Sequence, residues 1–193
     1  ADPPHDGIRC GMPPTLLITG FDAFLDVRDN PSGVLARRVN GRRVQHHTVI
    51  GQVLPVSYIE GLSMLGELVD RVRPALAIGV GVHRGDGVQV ETCGRNRCST
   101  TPDVHGVSPA DLGEGPPSMD VALPVDAFVK ALRATVSRDA GSYLCNAWLY
   151  TMLRDAPCPS LFVHIPARGV DPERFLTAVD ALVRSRPARL ALA

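Results

Sequence analysis

The sequence contains no apolar run that approaches the roughly 20 residues a membrane-spanning helix requires. It also has no excess of charge of either sign, because 20 basic residues balance 20 acidic ones. A balanced charge gives no reason to expect nucleic acid or an anionic membrane as a partner. With 45% hydrophobic residues, the composition is that of an ordinary globular protein. We therefore expect no nucleic-acid partner and no membrane partner.

Two further features are missing. The start of the chain lacks the charged beginning and apolar middle of a secretory signal peptide. The five cysteines form no even framework, which in a chain of 193 residues favours free thiols and a reducing compartment. We therefore expect a cytoplasmic protein. Residues 1–14 are predicted to form a flexible N-terminal extension, and residues 15–193 a single domain with a sizeable core.

Short apolar segments alternate along the chain with segments of helical periodicity. The runs TLLITGF, ALAIGVG and SLFVHIP are typical of buried strands, and Asn30 followed by Pro31 indicates a helix start. This alternation predicts an α/β fold: a single domain with a mostly parallel, twisted sheet and helices on both faces. Ligands of such folds bind at the carboxyl ends of the strands. A long irregular segment, residues 95–118, is predicted to be functional or mobile.

Three polar side chains lie where catalysis would need them. Cys145 precedes a predicted helix, and the positive end of the helix dipole favours a thiolate there. His164 closes the apolar strand LFVHIP, where its imidazole could take the thiol proton and return it to a leaving group. Glu91 lies in VQVETC, where a carboxylate could orient that imidazole. Together they predict a thiol-based catalytic triad.

Each of the three residues also has an ordinary structural interpretation. Cys145 could be a buried structural thiol, His164 a hydrogen-bonded core residue and Glu91 a solvated edge charge. In the irregular segment, Asp103 and His105 could gate a substrate, although solvated polar side chains are the commoner case. Spacing in the sequence does not decide between these interpretations.

Several separated segments resemble, in the same order, those of a known family. They are TGFDAFLDVRDNPS, VLPVSY, ETCGRN, PDVHG, GPPSMDVALPV, AGSYLCNAWLY and FVHIP. The chain resembles the pyroglutamyl peptidase type I (pyrrolidone-carboxylate peptidase) family of cysteine peptidases from about Leu16 to Arg184. The resemblance implies that Cys145 is the nucleophile, that His164 is the general base and then acid, and that Glu91 orients His164.

The resemblance also implies a reaction and a pocket. The reaction is amide hydrolysis through a thioacyl-enzyme, which removes an N-terminal pyroglutamyl group from a peptide. The matching aromatic pocket is Phe21, Phe24 and Tyr143, with Asn30 as a ligand-binding or loop-positioning residue. Plain core packing of the phenylalanines and a simple helix cap at Asn30 remain alternatives. No cofactor and no metal are implied, and a homo-oligomer is possible because relatives commonly self-associate.

Two segments depart from the family pattern, GVGVHRGDG at residues 79–87 and the stretch at residues 92–104. Since these changes lie on the substrate side, a divergent amidase or acyl transferase on the same scaffold is an alternative function. GVGVHRGDG lacks the lysine of a phosphate-binding loop, so a nucleotide cofactor is not expected. A second alternative is a metal-binding or non-catalytic module, although its imagined zinc ligands fit known spacings poorly. Those ligands would be His83, Cys93, Cys98 and His105.

Overall fold

The computed structural model describes residues 13–23 and 29–186. Its strands are β1 (Thr15–Phe21), β2 (Arg43–Val44), β3 (His47–Leu54), β4 (Leu76–His83), β5 (Gln89–Glu91), β6 (Cys93–Arg95), β7 (Ser118–Asp120), β8 (Thr135–Ser137) and β9 (Ser160–Pro166). Seven of these strands form the central sheet, in the order β2-β3-β1-β4-β9-β5-β8, and a separate two-stranded sheet pairs β6 with β7.

Most pairs in the central sheet are parallel. The pairs β1–β3, β1–β4, β4–β9 and β5–β8 run parallel, whereas β2–β3 and β5–β9 run antiparallel. The predicted mostly parallel sheet is confirmed. The extension predicted for residues 1–14 lies outside the described residues, apart from Pro13 and Pro14.

Five helices cover the two faces of the sheet in the part of the chain that the structure describes. They are α1 (Pro31–Val39), α2 (Glu60–Val72), α3 (Asp126–Leu132), α4 (Leu144–Asp155) and α5 (Pro172–Ser185). Buried side chains of α1, α3 and α5 belong to one hydrophobic cluster, and those of α2 and α4 belong to another. The prediction of helices on both faces is confirmed.

Strand β1 is covered by helices on both faces, and this explains why its sequence is apolar at successive positions. Leu16 and Ile18 pack in the cluster of α1, α3 and α5, while Leu17 and Phe21 pack in the cluster of α2 and α4. A strand covered on both faces needs apolar residues at odd and even positions alike. The next helix then begins as predicted, because the Asn30 side chain accepts a 3.1 Å hydrogen bond from the backbone N–H of Ser32.

The segment GVQVETC, which contains Glu91, contributes to two separate strands. Its first half, β5, stays in the central sheet, whereas β6 leaves it to pair antiparallel with β7. At the break, the backbone N–H of Thr92 donates to the carbonyl of Ser137 at 2.9 Å, and its hydroxyl donates to the same oxygen at 2.9 Å. Glu91 is therefore the last residue of its strand. Among the described residues, no helix is both long and apolar enough to cross a membrane.

Candidate active site

A cavity of about 390 Å³ opens at the carboxyl ends of β3, β1, β4 and β9, where the start of α4 meets them. Its wall includes Phe21 at the end of β1, His83 and Arg84 at the end of β4, and Tyr143 and Cys145 at the start of α4. This is the edge of the sheet at which α/β folds bind ligands. The volume suits a small substrate group.

Cys145 is the second residue of α4, and Tyr143 is the N-cap. The first backbone N–H groups of a helix have no partner within the helix, and together with the dipole they favour negative charge. The thiol is free and half-buried. A thiolate and an oxyanion can therefore both be stabilised at this point.

The sulfur of Cys145 lies against a strand position that has no side chain. A Cβ atom built on Gly81 would stand 2.7 Å from Cys145 Sγ and 2.9 Å from the Phe162 ring. Gly79, two residues earlier on the same face, leaves room in the same way for the rings of Phe162 and Trp148. Two glycines in β4 thus let α4 and the nucleophile candidate approach the sheet closely.

His164 and Glu91 meet beside that sulfur. They lie on neighbouring antiparallel strands, β9 and β5, and the His164 Nδ1–H donates a 2.8 Å hydrogen bond to Glu91 Oε1. Glu91 is fully buried and His164 is 8% exposed. The alternative of a solvated edge charge at Glu91 is therefore wrong. No partner for Glu91 Oε2 occurs among the described residues, so the imidazole is the carboxylate's main contact.

The surroundings of His164 favour its protonated form. Burial lowers the pKa of His164, but the negative charge of Cys145, a hydrogen bond with Cys145 and the bond and charge of Glu91 outweigh it and raise the pKa to about 10. An unperturbed histidine side chain has a pKa of about 6.5. The structure thus places the imidazole between a thiol and a carboxylate, and this arrangement stabilises an imidazolium.

The predicted pocket residues are brought to the same cavity, as far as they are described. Phe21 is 8% exposed, lines the cavity and also packs on Phe162, with ring centroids 6.5 Å apart. Tyr143 lies edge-on to Tyr58 at 5.7 Å. Asn30 lines the cavity while capping α1, so it is a helix cap, and its ligand-binding role stays a prediction. Phe24 lies outside the described residues.

The structural role of Asp103 was not predicted from the sequence. Solvated polarity was the commoner interpretation, but the carboxylate is 6% exposed and accepts backbone N–H bonds from Tyr58 at 2.8 Å and from His105 and Val107 at 2.9 Å. Burial raises the pKa of Asp103, but these bonds and one from Ser57 outweigh it and lower the pKa. Asp103 therefore connects the irregular segment to the turn after β3 and supports Tyr58, which packs against Tyr143.

The structural role of Asn146, next to Cys145, was also not predicted from the sequence. Its fully buried side chain accepts a hydrogen bond from Arg95 N at 2.9 Å and donates to the carbonyls of Arg95 at 2.8 Å and Arg97 at 2.9 Å. The Arg97 guanidinium in turn donates to the carbonyl of Gly141. These bonds fix the start of α4. The Cys-Asn dipeptide in the sequence was the one signal for them.

The four side chains considered as zinc ligands do not lie together in the structure. His83 bonds to the carbonyl of Gly87 at 2.8 Å, and His105 pairs with Glu60 at 3.3 Å. Cys93 is buried beside β7, and Cys98 packs in the cluster of α2 and α4. Within residues 13–23 and 29–186, no three histidine, cysteine or acidic side chains stand together as a metal site.

An α/β fold that brings a thiol at a helix start to an imidazole bonded to a buried carboxylate has the architecture of a cysteine hydrolase. The sequence model of the pyroglutamyl peptidase family matches residues 14–184. The chain therefore belongs to the pyroglutamyl peptidase family, and it is a cysteine peptidase.

Individual relatives agree with this assignment. The chain is 32% identical over 169 residues to a pyrrolidone-carboxylate peptidase of Cupriavidus taiwanensis, covering 79% of this chain and 78% of the relative. It is similar in structure to the pyroglutamyl peptidase I of Bacillus amyloliquefaciens, with a TM-score of 0.79, 26% identity and coverage of 90% and 95%. The pyrrolidone carboxyl peptidase of Thermococcus litoralis gives a TM-score of 0.78 and 26% identity over 90% and 93%.

Proposed function

We propose that this peptidase removes an N-terminal pyroglutamyl group from peptides, with Cys145 as nucleophile, His164 as general base and acid, and Glu91 as the residue that orients His164. The observation that carries the proposal is the buried 2.8 Å contact between His164 and Glu91 beside the Cys145 sulfur. A thiol–imidazole pair held by a third group is the arrangement that nucleophilic catalysis needs.

The chemistry follows in two steps. The Cys145 sulfur attacks the scissile carbonyl, and the oxyanion is held by backbone N–H groups of the first turn of α4. Collapse of this intermediate breaks the C–N bond, and the His164 imidazolium gives its proton to the departing amine. Water then attacks the thioester while His164 takes a proton from it, and release of the acid restores the thiol.

The apolar side of the cavity suits the acyl group. Phe21 and Val56 lie at the ends of β1 and β3, and Tyr143 faces them from α4. A five-membered lactam is flat and uncharged, so an aromatic and aliphatic slot can bind it without desolvating a charge. Asn30 lies on the same wall and can supply an amide hydrogen bond. Phe24 remains a predicted member of this slot.

A pair of substrates tests the proposal. Pyroglutamyl anilide and prolyl anilide differ in the ring carbonyl and in the charge of the ring nitrogen. We expect release of aniline from the first with a kcat/KM at least about 10²-fold higher, because an uncharged slot disfavours an ammonium group. The measurement is initial rate against substrate concentration for each compound.

Two outcomes would contradict the proposal. No turnover of pyroglutamyl anilide by folded protein at high concentration would exclude the pyroglutamyl substrate. Labelling of Cys145 by an electrophilic acyl trap in that same preparation would then favour the divergent amidase or acyl transferase. Equal rates on the two anilides would contradict the claim that the aromatic slot prefers an uncharged lactam to a ring with a charged nitrogen.

Gly81→Ala tests the close approach of the nucleophile to the sheet. The new methyl group would stand 2.7 Å from Cys145 Sγ, so the sulfur must shift. We expect kcat/KM to fall by about 10- to 100-fold, because displacement of a reacting atom by about 1 Å has that effect. Gly66→Ala in α2 is the matched control, since a Cβ there meets nothing within 4 Å. Equal activity of the two variants would show that the approach is not needed.

The peptide substrate is the partner that the family assignment supports. A homo-oligomer and a cytoplasmic location stay predictions. Size-exclusion chromatography with light scattering measures the first directly.

A further inference from the structure

The cavity has two chemically different sides. On the side of β3 and β1 its wall is mostly apolar and aromatic, with Val56, Phe21 and Tyr143, and Asn30 adds a polar amide. On the side of β4 and β9 it contains His83 and Arg84. The sulfur of Cys145 lies against Gly81 in β4, the strand between β1 and β9. Substrate groups on the two sides of the scissile bond therefore meet different surroundings.

The position of His164 assigns the leaving group to the second side. The imidazole that protonates the departing nitrogen belongs to β9, and its ring lies 5.6 Å from the ring of His83. The leaving nitrogen must come within hydrogen-bond distance of His164. The residue that leaves thus extends towards His83 and Arg84, away from the aromatic slot.

Arg84 is the one permanently charged side chain among the described residues that line the cavity. It follows the last residue of β4 and is exposed. Within residues 13–23 and 29–186, no carboxylate lies within ion-pair distance of its guanidinium. A cation that faces a substrate cavity, with no carboxylate of the described residues paired to it, is suited to a carboxylate of the substrate.

The turn that carries Arg84 is held at both ends. The His83 Nε2–H donates to the carbonyl of Gly87 at 2.8 Å, and the Arg168 guanidinium donates to the carbonyl of Asp86 at 2.7 Å. A fixed backbone lowers the entropy lost when Arg84 binds a ligand. The backbone that carries Arg84 is therefore held in place at the rim of the cavity.

The geometry points to Arg84 as the binding residue for the C-terminal carboxylate of the leaving residue, so that pyroglutamyl dipeptides with a free carboxylate are the favoured substrate class. This inference rests on the proposed function. In a dipeptide substrate one residue separates the scissile carbonyl from the free carboxylate. Each further residue would move that carboxylate about 3.3 to 3.6 Å outward. Arg84 is the first residue after β4 and lies at most about 10 Å along the chain from Gly81, which favours the carboxylate nearest to the scissile bond.

The test compares pyroglutamyl-alanine with pyroglutamyl-alanine amide. For the wild type we expect a kcat/KM about three- to tenfold higher for the free acid, the range of a partly exposed charge-assisted contact. Arg84→Gln should bring the ratio close to one, chiefly by raising KM for the acid, and Arg84→Lys should restore part of it. Arg71→Gln, an exposed arginine in α2, is the matched control. Added salt should lower the wild-type ratio.

The outcomes separate this inference from the proposed function. A wild-type ratio of one, or a ratio unchanged in Arg84→Gln, would overturn the role of Arg84 while leaving pyroglutamyl hydrolysis intact. If neither compound were cleaved, the proposed function itself would fail. A fall in both rates by the same factor in Arg84→Gln would indicate a structural role only and would also overturn the inference.

Discussion

Replacing Cys145 with serine is expected to lower kcat/KM for pyroglutamyl anilide by about 10⁴-fold or more. A serine hydroxyl is nearly isosteric with the thiol, but an imidazolium beside it cannot stabilise an alkoxide as it stabilises a thiolate. Loss of the nucleophile removes the covalent path, and losses of this size are usual in catalytic triads. The measurement is the single-turnover rate with enzyme in excess over substrate.

Cys158→Ala is the matched control for this substitution. Cys158 is also a half-buried free thiol, and burial raises its pKa, so it is expected to stay protonated and unreactive. Its removal should leave the rate near that of the wild type. If Cys145→Ser kept more than a tenth of the wild-type rate, or if Cys158→Ala lost most of it, Cys145 would not be the nucleophile.

The sheet and its covering helices could be predicted from the sequence, because local sequence patterns indicate these strands and helices. Thr15–Phe21 is apolar on both faces, and the Asn30–Pro31 pair both caps and starts α1. The division of the GVQVETC segment was not predictable in the same way. It depends on Thr92 bonding to Ser137, which lies 45 residues away along the chain. Contacts of that separation leave no periodic pattern in a sequence.

The candidate active site also contains some residues whose roles the local sequence predicts and others whose roles depend on distant contacts. The turn before Cys145 is local, and Gly141 adopts a positive φ of 80° there, so the sequence AGSYLC could indicate a nucleophile at a helix start. Asp103, by contrast, accepts hydrogen bonds from the backbone N–H groups of His105 and Val107, which follow it, and of Tyr58, which lies 45 residues before it. A single aspartate in a polar segment gives no hint of these donors. The bond from Tyr58 in particular is a tertiary contact, because the two residues are far apart in the sequence.

Glu91→Gln is expected to lower kcat by about 10³-fold while the protein stays folded. The amide preserves the size of the carboxylate and can still accept a hydrogen bond, but it carries no charge to stabilise an imidazolium and can bind the wrong tautomer of His164. Glu60→Gln is the matched control, because Glu60 also faces a histidine, His105, at 3.3 Å, but on the exposed surface. That variant should keep wild-type kcat. The readout is kcat together with the thermal unfolding midpoint of each variant.

The pH profile of the same variant separates orientation from simple packing. Since the pKa of His164 is raised to about 10, the interactions that favour its protonated form are complete below about pH 6.5 and are lost as the pH rises through about 10. The alkaline decline of kcat/KM, which reports loss of the general acid, should therefore lie near the raised value in the wild type. Glu91 supports that value by its bond and its charge, so Glu91→Gln should move the decline to lower pH by about one unit. A decline that stays in place, or moves to higher pH, would show that Glu91 does not act through the charge of His164.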